Sequence, residues 1–174
     1  MKLILSYLKN YKLLIVLNIL AIFSFALVEL GIPTIIAKII DNGIANQNIA
    51  YIKQMGIVIV IISIIGVVGS ILLGYCSAKV STSVTRDIRN DIFEKSQEFS
   101  HTEYNKFGIS SMITRTTNDA FQIQRFVNIL LRTALLTPVM FIISIIMTIR
   151  TSVELSIVLA ISVPFIIIGV AIIA

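Results

Sequence analysis

The feature that most constrains this chain is a set of four apolar runs, each close to the roughly 20 residues a helix needs to cross the hydrocarbon core of a bilayer. They fall at residues 13–40, 55–78, 126–149 and 155–174. The second, MGIVIVIISIIGVVGSILLGYCSA, holds no charge at all. Lipid offers no hydrogen bonds, so each run must satisfy its own backbone. The expected fold class is therefore all-α and polytopic. A mean hydropathy of +0.98 agrees, and charged residues at 13% leave too little polar surface for a soluble domain. A secretory signal is the other reading of the N-terminus. The first run is too long for a signal core, and no clear small-residue cleavage site follows it. Cys76 stands alone inside the second run, which excludes an internal disulfide.

A net charge of +5 raises the question of nucleic acid, and the placement of the bases answers it. Lys2, Lys9 and Lys12 precede the first run, and Lys79, Arg86, Arg89, Lys95, Lys106, Arg115 and Arg125 lie between the second and third. The other two connections are poor in base: residues 41–54 hold only Lys53, and the last turn only Arg150. Basic loops stay in the cytoplasm. The alternation predicts an N-terminus and a long insertion, residues 79–125, on the inside, with two short loops outside. The bilayer is then the first partner, and no nucleic acid is implied.

The insertion is expected to be a helical hairpin. Val84, Ile88, Ile92 and Phe99 recur on one helical stripe, and Ile109, Met112, Ile113, Thr116, Ala120, Ile123 and Val127 on another. No proline interrupts either arm. Asp91 and Lys95 have the acid-first spacing of an i,i+4 pair. About 20 residues of continued helix would carry each arm roughly 30 Å beyond the membrane. At the tip, Ser100 and Glu103 have capping-box spacing, and Phe99 and Tyr104 have the spacing of the accompanying hydrophobic staple. Gly108 then supplies a left-handed stop. His101–Phe107 is thus expected to be a separate short helix bearing Tyr104 and Phe107. Those aromatics either dock into a partner's groove or pack back on the arms.

Three stretches carry a family resemblance. EFSHTEYNKFGISSMITRTTNDAFQIQRFV resembles the first intracellular loop of ATP-binding-cassette (ABC) exporters, with SSMITRTTND at its centre. ELGIPTIIAKIIDNGI is similar to the end of that family's first spanning helix, and NILLRTALLTPVMF to the start of its third, above all in bacterial multidrug-type exporters that form heterodimers. The resemblance runs over about residues 10–174. It implies a transmembrane domain of six spans with long cytoplasmic extensions. It implies that His101, Glu103, Tyr104 and Phe107 form a coupling helix, capped by Ser100 and Gly108, that touches a nucleotide-binding domain. It further implies ATP and Mg in that domain, a second exporter half as partner, and a bacterial cytoplasmic membrane.

The chain departs from the full pattern. None of its eight glycines is followed by Lys, so it has no GxxxxGK[ST] phosphate loop. ATP hydrolysis by this chain is not expected. Only four of six spans are present, and GVAIIA ends the sequence without flanking charge, which reads as a fragment truncated after the fourth span. Glu29 lies about 25 Å along the helix from Lys12. An ionisable group at that depth is a substrate or cavity candidate unless it links to Lys38 or snorkels outward. Asn18 either joins helices by hydrogen bonds or lines a cavity. Arg115 and Asp119 are expected in structural ion pairs, each with a neighbouring cytoplasmic helix. His101 is the only histidine, with no second metal ligand near it. The competing reading is a stand-alone four-helix membrane interaction or assembly protein without transport activity.

Overall fold

A computed structural model describes residues 2–100, 108–151, 156–157, 161–164 and 169, with side chains excluded at residues 2, 3 and 109. Among the described residues every regular element is helical. Helix α1 (Lys2–Leu8) passes through a 3-10 turn (Lys9–Tyr11) into α2 (Lys12–Lys38), which ends in a π-helical segment at Ile39–Ile44. Helix α3 runs unbroken over Ile49–Gln97. The return begins with α4 (Ile109–Thr114), opens into a π segment (Arg115–Asp119), continues as α5 (Ala120–Ile129), opens again at Leu130–Ala134, and ends as α6 (Leu136–Thr151).

Three helices are long and apolar enough to cross a membrane: Ile4–Ile44, Ile49–Gln97 and Ser110–Thr151. Each contains one of the first three apolar runs. Most of the fourth run lies outside the described residues. The chain divides into two compact units, Met1–Leu136 and Thr137–Ala174.

In the first unit, α2 and α3 form an antiparallel pair joined by a short turn. The Asn48 side chain caps α3 by accepting from the Tyr51 backbone N–H at 3.0 Å. Small residues set how close the helices come. A Cβ added at Gly66 would stand 2.2 Å from Val28 Cγ2, and one at Gly69 would stand 2.5 Å from Ser24 Oγ. The Ser24 hydroxyl donates to the Ile65 carbonyl at 3.0 Å across this seam. Ala21 and Ala26 are buried in the pair, whereas Ile64 and Ile71 face outward with 60% and 67% of their surface exposed. Apolar outside and small inside is the pattern of helices that associate in lipid, where burying a large apolar side chain gains little.

Further along α3 the pattern reverses. Leu8, Val80, Val84, Ile88, Val127 and Leu131 form a buried hydrophobic cluster that joins α1, α3, α5 and the π segment after α5. The first expected stripe is buried here at Val84 and Ile88, with Ile92 packed on the cluster. The second stripe holds at Ala120 and Val127, which are buried. Ile113 departs from it with 58% exposure, because Met112 already takes the inward position on that turn.

In the second unit, Pro138 stands near the start of α6. Thr148 and Thr151 donate to the carbonyls four residues back at 2.8 and 2.9 Å, so α6 satisfies its own hydroxyls within lipid.

Candidate functional site: the hairpin and its braces

Helix α3 has 49 residues and is about 70 Å long. It therefore reaches well past its apolar part, as the absence of proline in the arm predicts. Near its end the Lys95 ammonium meets Glu98 at 2.6 Å. The Asp91–Lys95 pairing expected from spacing gives way to other partners: Asp91 accepts a hydrogen bond from the Tyr7 hydroxyl. The Phe99 N–H donates to the Ser96 carbonyl at 3.3 Å, and the chain then leaves the helix at Phe99 and Ser100.

The tip helix expected at His101–Phe107, with Glu103 and Tyr104, lies outside the described residues. Its two flanks do not. Gly108 has φ +73°, the sign expected of it, but ψ 140° and a place immediately before α4. It opens the return arm, in a conformation that only glycine adopts at little cost.

The return arm begins with the motif ISSMITRTTND. Its second half, Arg115–Asp119, is π-helical. A π turn carries the backbone N–H past its usual acceptor and leaves carbonyls to be satisfied otherwise. Here Thr116 and Thr117 donate to the carbonyls of Met112 and Ile113, both at 2.8 Å. The two adjacent threonines are thus suited to the geometry of the motif. Arg115 and Asp119 mark the ends of this segment and are both exposed. Among the described residues the ion pairs are Arg86–Asp87 and Lys95–Glu98, so Arg115 and Asp119 are not paired to each other. Among the described residues the other π segments are IIDNGI and LLRTA. All three therefore fall within the stretches that carried the family resemblance.

The arms are braced in two ways. Between α3 and α5, Gln124 Nε2 donates to Thr82 Oγ1 at 3.2 Å and Asn128 Nδ2 to Ser81 Oγ at 3.5 Å. The Arg125 guanidinium lies 5.8 Å from the centre of the Phe121 ring, within cation–π range.

The second brace ties the N-terminus to α3. The Tyr7 hydroxyl donates to Asp91, and the Tyr11 hydroxyl donates to Asp87 Oδ2 at 2.6 Å. Arg86 completes this group, with Nη2 at 2.9 Å from Asp87 Oδ1 and 3.3 Å from the Tyr11 hydroxyl. The Tyr11 hydrogen bond holds the Asp87 carboxyl below its ordinary range, aided by Arg86 and opposed by burial. The hydrogen bond to Asp91 is the main reason that Tyr7 is pushed up to about 12. Sequence reasoning missed this brace, although its signal was present. Tyr7 and Tyr11 are four residues apart, as are Asp87 and Asp91, so two facing helices place both pairs in register.

Within the membrane part, Asn18 is fully buried and its Nδ2 donates to the Leu73 carbonyl at 3.5 Å. Its Oδ1 has no partner. Asn18 thus sits closed off between α2 and α3. Glu29 lies on the exposed side of α2, and Lys38 is exposed as well, with no ion pair between them.

This geometry defines an all-α membrane protein whose spanning helices continue into a braced hairpin. The profile of the ABC transporter transmembrane region matches residues 14–174. The chain belongs to that family. It is 34% identical over 163 residues to YfiB, an ABC transporter ATP-binding protein of Bacillus subtilis, which covers 94% of this chain and 28% of the relative. A Mycobacterium tuberculosis ABC transporter ATP-binding protein is 30% identical over 159 residues, 91% of this chain and 27% of its own length. An ATP-dependent lipid A-core flippase of Colwellia psychrerythraea is 24% identical over 122 residues, 70% and 20% of the two chains. The chain thus spans about a quarter of the length of such relatives.

Proposed function

We propose that this chain is the membrane-spanning part of an ATP-driven exporter that moves a hydrophobic or amphipathic solute out of the cell. The observation that carries the reading is the single helix α3, which links a small-residue seam suited to lipid with a hairpin far beyond it. A rigid rod of this kind transmits displacement of one end to the other, which switching between two global states requires. The tip at residues 99–108 is the contact with a nucleotide-binding domain: His101, Glu103, Tyr104 and Phe107 meet it, and Ser100 and Gly108 fix the tip's ends. ATP and Mg act in that domain, since this chain has no phosphate loop. A second exporter half completes the translocation path, and Glu29 is the residue of this chain that faces it.

The pathway lies in the cytoplasmic membrane, with the N-terminus and hairpin inside. The relative named as a lipid A-core flippase supports an amphipathic cargo. Inside-out vesicles containing the assembled transporter provide the test. ATP-dependent uptake of fluorescent amphiphiles, abolished when ATP is replaced by a non-hydrolysable analogue, supports export. No uptake with or without ATP, from a chain that still folds and inserts, favours the stand-alone assembly protein.

A further inference from the structure

We infer that the N-terminal elbow holds an anionic phospholipid from the leaflet in which it lies. A groove of about 790 Å³ opens between the α1–α2 elbow and the start of the third apolar run. Its walls are apolar, among them Leu5, Ile15, Val16, Leu131 and Leu135, and its rim carries Lys9 and Lys12. Leu5 and Val16 are 55% and 53% exposed. Among the described residues neither lysine has an ion-pair partner.

The elbow has no acid of its own, and the α3 carboxylates packed against it, Asp87 and Asp91, are taken by Tyr11, Arg86 and Tyr7. Lys12 is the last charge before the apolar run begins at Leu13, so its ammonium lies at headgroup depth. An acyl chain fits the apolar walls while a phosphate meets both ammonium groups. An apolar spanning segment laid in the same groove would offer the two ammonium groups no anion. A neutral or zwitterionic lipid would leave the rim uncompensated. The site does not depend on what the transporter moves.

The test uses the full-length protein in an otherwise Trp-free background, reconstituted with phospholipids brominated on their acyl chains. A Leu5→Trp reporter reads the groove, and a separate Ile64→Trp reporter reads ordinary lipid contact. Brominated phosphatidylglycerol is expected to quench Leu5→Trp at a mole fraction lower than brominated phosphatidylcholine by on the order of tenfold, given two lysines at the surface. Ile64→Trp should not discriminate between the two lipids. In Lys9→Gln/Lys12→Gln the preference should fall to within about twofold, while Lys9→Arg/Lys12→Arg keeps it, which separates charge from folding. Equal quenching by both lipids in the lysine-bearing protein, or a preference that survives the glutamine pair, overturns the inference. So does an unquenched Leu5→Trp beside a quenched Ile64→Trp, which would mean that protein covers the groove.

Discussion

Helix α3 passes through two environments, and its two halves are built differently. Around Gly66 and Gly69 it meets α2 through small residues and turns its large ones outward. Around Val80, Val84 and Ile88 it buries large apolar residues, with Ser81, Ser83 and Thr85 buried beside them and Arg86 exposed. One helix therefore uses close backbone approach within its apolar run and burial of large apolar side chains where it leaves that run. The polar contacts follow the same division. In the first region the Asn18 amide and the Ser24 hydroxyl each donate to a carbonyl across the seam. In the second, two tyrosine–aspartate hydrogen bonds clasp them. The second region has the fixed core that a lever needs at its base.

Substitutions in the two halves sharpen this contrast. The largest effect is expected from Ile88→Ala, which opens a cavity in the large-residue cluster and should lower stability by about 2–5 kcal/mol. Ile64→Ala, on the lipid-facing side of the same helix, should change it little. Equal losses from the pair, read from the unfolding midpoint in detergent, would break the comparison. Gly66→Leu should come next, at about 1–3 kcal/mol, because its Cβ collides with Val28. Cross-linking between cysteines placed on α2 and α3 would report the widened seam.

Tyr11→Phe removes one clasp and should cost about 1 kcal/mol. Its effect should depend on pH. Asp87 is held below its ordinary pKa in the fold, so its contribution is present above the ordinary carboxylate range and is lost as pH falls through the lowered value. Tyr11→Phe should therefore flatten the acid limb of the stability profile. Tyr7 has the opposite sign. Its neutral form is favoured, so its contribution is complete below the ordinary tyrosine range and disappears as pH rises towards about 12. Asn18→Leu should have the smallest effect, below about 1 kcal/mol, since it removes one long hydrogen bond together with an unsatisfied buried oxygen. A large loss there would mean that polar contacts dominate the lipid-side seam.

Much of this was legible in the sequence. The apolar runs at 13–40, 55–78 and 126–149 each lie within one long helix because lipid permits little else. The absence of proline after Ala78 foretold the unbroken arm, and the stripe through Val84 and Ile88 foretold the core. Other features depended on partners far away in sequence. Asp91 looked like a partner for Lys95 until α1, more than 80 residues earlier, delivered Tyr7 to it. The π segments in IIDNGI, RTTND and LLRTA have no periodicity signal, because one extra residue per turn leaves the apolar pattern almost intact. The site residues at the tip rest on capping chemistry and family resemblance, and residues 101–107 lie outside the described structure.

The most direct measurement is the solute-stimulated ATPase rate of the assembled transporter with Tyr104→Ala and Phe107→Ala combined. If the tip couples the two parts, basal ATP hydrolysis should persist while stimulation by solute falls at least tenfold, with the complex still assembled on size-exclusion chromatography. Full stimulation in that variant would contradict the account, because the rod through α3 would then end on residues that carry no signal.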